Sequence, residues 1–167
     1  RKENTIPPKD NFNFVLSMAK GEYFIWQSAD DYRSLDCLEV YLKAILKEEV
    51  GVVFSKYNLQ DDITKKTDCY RPHKLSSNKI HATQRFIFRP IPCMVYGLYK
   101  TNLLKEIRNH KFINTLYDWN DAFTNILFIY FHGGHIIGSD KSFITFTFNN
   151  GYTPKPIKGK FINPFPY

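Results

Sequence analysis

Apolar and polar residues alternate over the first third of the chain in a way that predicts helices and strands in turn. After Asp10 or Asn11, either of which can cap a helix, apolar residues recur at helical spacing until Gly21. The next run is short and almost wholly apolar, which is typical of a buried strand. The pattern predicts a helix over residues 12–20, a strand over 22–27, a helix over 35–47 and a strand over 51–57.

The second predicted helix carries a broad apolar face. Ser34 is expected to cap this helix, because serine oxygens accept hydrogen bonds from the first turn. Apolar residues then recur at three- and four-residue spacing. We expect the following residues to face the core: Leu35, Leu38, Tyr41, Leu42, Ile45 and Leu46.

Patterning is more mixed over the remaining two thirds. Asp61 and Asp62 predict a turn, after which residues 65–70 return as the second strand of a hairpin. The pattern further predicts a loop or ragged helix over 72–82 and a short helix over 83–88. A strand over 94–99 is followed by a short helix over 101–108, which Thr101 caps. A long helix over 118–132 and late strands at 136–137 and 143–148 complete the prediction. Together these elements predict one α/β domain with a mixed sheet flanked by helices.

The composition is that of a folded domain. The chain has 167 residues, which suits one domain, and its 43% hydrophobic and 23% charged residues exclude a disordered chain. The net charge of +7 favours anionic partners such as phosphates or an acidic membrane surface, and it is also compatible with simple solubility. Basic and aromatic residues do not interleave as in nucleic-acid-binding motifs, so we expect no nucleic acid partner.

The cysteines and the length of the apolar runs indicate the cellular compartment of the protein. Cys37, Cys69 and Cys93 are odd in number and lack metal-site spacing, which predicts free thiols in a reducing compartment, with Cys37 and Cys93 buried. No apolar run approaches the roughly 20 residues of a membrane-spanning helix. We expect no signal peptide and a cytoplasmic protein. Because the sequence opens on Arg1, we also expect it to begin inside a larger protein.

Two adjacent carboxylates follow the first predicted strand. Ligand sites in open α/β sheets gather at the carboxyl ends of strands, where Asp30 and Asp31 stand. Side chains alternate along an extended chain, so Ser28 and Asp30 would point one way and Asp31 the other. Such oxygen ligands suit Mg²⁺ or Mn²⁺ bound together with substrate phosphates. The alternative is that the two acids only cap a helix or solvate a turn.

A third carboxylate, Asp118, precedes the long predicted helix. A carboxylate held at a helix start could take a proton from an acceptor hydroxyl. The alternative is a capping role, because Asp118 with Asp121 three residues later resembles a capping arrangement and suits the helix dipole.

Three blocks of sequence resemble family 2 glycosyltransferases of the GT-A fold. Within residues 10–31 the chain reads DNFNFVL, AKGEYFIW and SADD, which resembles the helix and strand that lead into the Asp-x-Asp motif of the family. Residues 92–100, PCMVYGLYK, resemble a later strand of the family. Asp118 and the helix after it lie where the family carries its catalytic acid. The resemblance runs in order over residues 4–148.

The resemblance implies transfer of a sugar from a nucleotide-diphosphate donor to an acceptor hydroxyl, in a single displacement with inversion. Asp30 matches the last Asp of the motif, which implies a ligand of Mg²⁺ or Mn²⁺ and of the diphosphate. Asp118 matches the general base, with Asp121 as the alternative catalytic residue. The resemblance also implies substrate contacts for Ser28, Asp31, Tyr96 and Gly97.

The implied partners are a nucleotide-diphosphate sugar and a glycan or lipid-linked acceptor, in glycan or cell-surface polysaccharide synthesis. Peripheral contact with the cytoplasmic face of an anionic membrane is also compatible with the charge. The chain departs from the family in two respects: Ser28 replaces the first Asp of the motif, and no segment matches the family's N-terminal unit that binds the nucleotide base. Both departures also fit a non-catalytic fragment or degenerate domain.

Overall fold

Two four-stranded sheets organise the part of the chain that the computed structural model describes, which comprises residues 8–28, 31–61, 63–70, 75–89, 92–109, 121–137 and 144–148. The helices are α1 (Pro8–Met18), α2 (Cys37–Glu48), α3 (Lys79–Phe88), α4 (Thr101–Arg108) and α5 (Asp121–His132), with a 3₁₀ helix at Pro92–Tyr96. The strands are β1 (Tyr23–Ile25), β2 (Tyr32–Arg33), β3 (Val52–Phe54), β4 (Tyr57–Asp61), β5 (Thr67–Tyr70), β6 (Leu98–Lys100), β7 (Gly134–Ile136) and β8 (Ile144–Phe148).

The first sheet has the strand order β1-β6-β3-β7. Strand β6 is antiparallel to both β1 and β3, whereas β3 and β7 are parallel. The carboxyl ends of β1, β3 and β7 therefore meet the amino end of β6 at one edge. We call this the carboxyl edge; it is marked by Trp26, Ser55 and Ile137 after those three strands and by Gly97 before β6.

The core lies on both faces of this sheet because side chains alternate along β3. Val53 packs on one face with Tyr41 and Ile45 of α2. Val52 and Phe54 face the other side, in a cluster that includes Phe86, Met94, Tyr99, Leu104, Ile107 and Phe128. A mixed sheet between helices confirms the predicted fold class.

The second sheet has the order β2-β8-β4-β5, with β4 and β5 forming an antiparallel hairpin and β4 and β8 pairing in parallel. Asp61 shapes the hairpin turn, since its Oδ1 accepts hydrogen bonds from the main-chain N–H groups of Ile63 and Thr64 at 2.8 and 3.0 Å. The hairpin prediction is confirmed. Strand β2 pairs antiparallel with β8, so the residues just after the two predicted site carboxylates join this sheet.

The core face predicted for the second helix is wrong at four positions, of which Leu35 also lies before the start of α2. Tyr41 and Ile45 are fully buried, but the apolar residues beside them are exposed: Leu35 by 107%, Leu38 by 54%, Leu42 by 40% and Leu46 by 61%. The sheet covers only a narrow stripe at four-residue spacing, which consists of Cys37, Tyr41 and Ile45. Asp36 rather than Ser34 is the N-cap residue of α2.

Two predicted strands are also corrected. Residues 51–57 do not form one strand, because Ser55 and Lys56 separate β3 from β4 and the two strands join different sheets. Residues 94–99 are not one strand either. The Gly97 N–H donates to the carbonyl of Met94 at 2.9 Å, which closes a tight turn after the 3₁₀ helix before β6 begins.

The start of α3 and the N-cap residue of α4 differ from those expected from the sequence. Helix α3 begins at Lys79 because the Asn78 side chain accepts hydrogen bonds from Ile80 N and His81 N. Thr101 does not cap α4, since Lys100 occupies the N-cap position. Over the described ranges, no helix is both long enough and apolar enough to cross a membrane.

Candidate active site

The predicted substrate-binding residues lie at the carboxyl edge. Ser28 and Asp31 follow β1, and both are half-buried. Tyr96 and Gly97 precede β6, which starts beside the end of β1. Residues separated by more than 60 positions are thus brought to one edge of one sheet, which is where open α/β sheets bind ligands.

Asp31 joins this edge to the second sheet. Its Oδ1 accepts a hydrogen bond from the main-chain N–H of Thr147 in β8, 3.3 Å away. Asp30, the predicted metal ligand, lies outside the described residues together with Ala29. The predicted division of side chains between the two faces therefore stays a prediction.

Tyr96 and Gly97 pack differently, since Tyr96 makes a ring contact and Gly97 approaches the main chain of β3 closely. The Tyr96 ring is half-buried and tilted against Phe146 of β8, with 4.9 Å between ring centroids. Gly97 is buried against β3, and a Cβ at this position would lie 2.8 Å from the carbonyl oxygen of Val53. Close backbone packing alone therefore accounts for a glycine here.

Helix α5 begins towards the carboxyl edge of the sheet. Its last residue, His132, accepts a hydrogen bond through its carbonyl from Gly51 N at the amino end of β3. Asp121, at the other end of this 12-residue helix, consequently lies towards the carboxyl edge. Only the backbone of Asp121 is described, and Asp118 lies outside the described residues.

Two side chains at this edge were missed by sequence reasoning. Arg33 donates to the carbonyl oxygens of Trp26 and Tyr96 at 2.5 and 3.1 Å, and its Nε makes a short hydrogen bond to Gln27 Oε1. Gln27 Nε2 in turn donates to the carbonyls of Ser28 and Asp31, each at 2.8 Å. No local pattern could reveal the contact with Tyr96, because the two residues are 63 positions apart.

Cys37 adds a buried thiol beside Arg33, with 3.8 Å between Arg33 Nη1 and Cys37 Sγ. Burial raises the pKa of this thiol, and the Arg33 guanidinium opposes that effect only in part. Cys37 is therefore a neutral thiol that accepts from Arg33, as a structural cysteine would be. Neither Cys37 nor Cys69 forms a disulfide, as predicted, and Cys69 is exposed. The Cys93 side chain lies outside the described part.

The donor chemistry at the carboxyl edge suits a hard cation. Ser28 and Asp31 supply hydroxyl and carboxylate oxygens there. Within the described ranges, no three His, Cys, Asp or Glu residues come together as a metal site. Mg²⁺ commonly needs only one or two protein carboxylates, because water and substrate phosphates fill the remaining positions.

A cavity of about 570 Å³ lies away from these residues, at the opposite edge of the sheet. It is lined by residues 19–22 before β1 and by Lys100, Thr101, Asn102 and Lys105 around the start of α4. We place the candidate site at the carboxyl edge instead, because the sheet topology and the predicted residues agree there.

The solved structures that are similar to this chain include two of S. aureus TarS. The crystal structure of S. aureus TarS residues 1–349 matches with a TM-score of 0.60 and 21% identity, over 88% of this chain and 42% of that TarS chain. The same TarS fragment in complex with UDP-GlcNAc matches with a TM-score of 0.58 and 20% identity, over 90% of this chain and 42% of that TarS chain. The chain thus spans about two fifths of the length of these TarS chains.

No curated protein shows significant sequence similarity to the chain. At these identities the TarS structures establish the fold, which is GT-A-like. The sequence profile described as "Glycosyl transferase family 2" matches residues 1–108, well over half of the chain and all of the segment from α1 to α4. The chain belongs to glycosyl transferase family 2.

Proposed function

We propose that this chain forms part of an enzyme that transfers a sugar from a nucleotide-diphosphate donor to an acceptor hydroxyl. The observation that carries the proposal is the family match over residues 1–108, which includes Ser28 to Asp31. The position of Ser28, Asp31 and Tyr96 at the carboxyl edge supports it, because donor and acceptor could both be bound there.

In this proposal Asp30 holds Mg²⁺ or Mn²⁺, with Ser28 and Asp31 as neighbouring oxygen donors. Such an ion, when bound, offsets the negative charge that develops on the departing diphosphate. Ser28 replaces a carboxylate of the motif, so we propose that it contacts the ribose or the metal through its hydroxyl. Tyr96 and Gly97 border the acceptor cleft.

The general base in the proposal is Asp118, with Asp121 as the alternative. The acceptor oxygen forms a bond to the anomeric carbon as the bond from that carbon to the diphosphate oxygen breaks. The acceptor proton passes to the carboxylate, and the nucleotide diphosphate leaves with the bonding electrons. A single displacement of this kind inverts the anomeric centre.

TarS was crystallised with UDP-GlcNAc, and UDP-GlcNAc is therefore the first donor to test for this chain. We propose a glycan or lipid-linked acceptor in cell-surface polysaccharide synthesis. We also propose a cytoplasmic location, with contact to an anionic membrane face through the surplus of seven positive charges.

The proposal is tested by donor turnover in the full-length protein with and without Mn²⁺. Asp30→Ala should abolish metal-dependent turnover, whereas Asp68→Ala, a matched change at an exposed strand position, should leave it unchanged. Retained turnover in Asp30→Ala refutes the metal role. If calorimetry detects no nucleotide sugar binding to the unaltered protein, the domain is a degenerate, non-catalytic one.

A further inference from the structure

The side chains of Gln27 and Arg33 form a hydrogen-bonded pair, and Gln27 also contacts Ser28 and Asp31, the described residues that flank the predicted metal ligand in sequence. Gln27 Nε2 donates to the carbonyl oxygen of Ser28 and to that of Asp31, each 2.8 Å away. These carbonyls stand on either side of residues 29–30. One amide nitrogen therefore holds the Ser28 and Asp31 carbonyl groups close together.

The orientation of the Gln27 amide is fixed by Arg33. An arginine side chain only donates hydrogen bonds, so the atom that contacts Arg33 Nε must be the amide oxygen. The amide NH₂ group then faces the carbonyls of Ser28 and Asp31, which only accept. The contacts on both sides of the amide agree on one orientation.

The Arg33 guanidinium is itself held by main-chain and side-chain groups of three separate elements. Its Nη2 contacts the carbonyls of Trp26, at the end of β1, and of Tyr96, at the end of the 3₁₀ helix. Its Nη1 contacts Cys37 in α2. The planar, forked guanidinium can serve several acceptors in fixed directions, which a lysine ammonium on its flexible stem does less well.

We propose that Gln27 and Arg33 are positioning residues that hold the main chain at Ser28 and at Asp31, on either side of the proposed metal ligand in sequence, in the arrangement that favours binding of the divalent cation. The metal part of this inference rests on the proposed function. Neither residue needs to touch the substrate. Groups that orient metal ligands in this way typically alter metal affinity by about 10- to 100-fold when they are substituted.

Two substitutions test the contributions of Gln27 and Arg33 separately. Gln27→Glu keeps the acceptor for Arg33 but removes the NH₂ donors and sets a carboxylate against the two carbonyls. Arg33→Lys keeps the charge but removes the fork. Gln84→Glu and Arg85→Lys are matched controls, because both residues are exposed on α3, which makes none of the contacts of Gln27 and Arg33 described above.

The first readout is metal-free hydrogen exchange of the peptide spanning residues 26–33. We expect exchange to be about tenfold faster in Gln27→Glu and Arg33→Lys, the size expected from losing one or two net hydrogen bonds. The controls should exchange like the unaltered chain. Because Gln27 is exposed, Gln27→Glu should keep the fold, which an unchanged Tm would verify. Unchanged exchange in Gln27→Glu overturns the proposal.

The second readout is the Mn²⁺ concentration for half-maximal turnover in the full-length protein. It should rise about 10- to 100-fold in both variants, with turnover at saturating Mn²⁺ close to that of the unaltered protein. An unchanged half-saturation concentration overturns the positioning role. If turnover of the unaltered protein does not depend on Mn²⁺, the proposed metal-dependent function is refuted instead. The exchange experiment then still decides whether Gln27 and Arg33 hold Ser28 and Asp31 in place.

Discussion

The hydroxyl of Tyr99 lies 2.6 Å from the carbonyl oxygen of Met94 and donates a hydrogen bond to it inside the core. Tyr99 belongs to β6, and Met94 belongs to the 3₁₀ helix that leads to Tyr96 and Gly97. The same hydroxyl is 3.1 Å from Asn125 Oδ1 of α5. One buried hydroxyl thus connects three elements that meet behind the candidate site.

Tyr99→Phe should therefore lower the free energy of unfolding by about 1–3 kcal/mol, because it leaves buried polar groups without this partner. Chemical denaturation measures the change. Tyr130→Phe is the matched control, since Tyr130 is 48% exposed on α5, and it should have little effect. Equal stability of the two variants would show that the hydroxyl does not connect these elements energetically.

Gly97→Ala tests the close approach of the chain to β3. The added Cβ would lie 2.8 Å from the Val53 carbonyl and 3.0 Å from that of Met94, and main-chain atoms cannot swing aside as a side chain can. We expect the free energy of unfolding to fall by about 1–3 kcal/mol, the usual cost of overpacking. Gly21→Ala should cost less, because a Cβ at this exposed position would lie 3.3 Å from the carbonyl oxygen of Tyr23. A similar Tm for both variants would contradict the packing account.

Helix α2 offers a test of its narrow buried stripe. Ile45→Ala removes a fully buried side chain and should cost about 2–5 kcal/mol. Leu46→Ala, one residue along the helix and 61% exposed, should change the free energy of unfolding by no more than about 0.5 kcal/mol. Both values come from denaturant titrations. A large loss in Leu46→Ala would mean that another surface covers this face in solution.

His132 should make stability depend on pH. Burial lowers the pKa of its imidazole below the ordinary 6.5; Glu106 opposes this, and Lys79 and Lys100 add to it. Below about pH 6.5 the unfolded chain takes up a proton that the folded chain resists, so stability falls as the pH drops through this window.

The measurement is Tm between about pH 8 and pH 5. His132→Gln should show a smaller fall in Tm on acidification than the unaltered chain. His81→Gln, at an exposed position of α3, should follow the unaltered chain. Identical pH profiles for His132→Gln and the unaltered chain would show that this imidazole does not contribute.

Local pattern was enough to predict the elements that depend on near neighbours. The hairpin of β4 and β5 followed from Asp61, whose side chain shapes the turn itself. The strand before Ser28 and the helix ending before Gly133 follow from runs of apolar residues with a glycine or a polar segment after them.

Other features depend on contacts between distant segments. Leu46 has the same apolar character as Ile45, and only the position of the sheet decides which of them is buried. The turn at Gly97 depends on its approach to Val53, 44 positions earlier in sequence. Arg33 gives no signal of its role until Tyr96 is placed beside it. The carboxylates were enough to predict the candidate site from the sequence. The roles of Gln27 and Arg33 in shaping it could not be predicted.

The most direct test of the central claim is a calorimetric titration of UDP-GlcNAc and other nucleotide sugars into the full-length protein, with Mn²⁺ and with a chelator. The account predicts binding of at least one nucleotide sugar that requires the ion and is lost in Asp30→Asn. Binding of equal affinity with and without Mn²⁺, retained in Asp30→Asn, would contradict it.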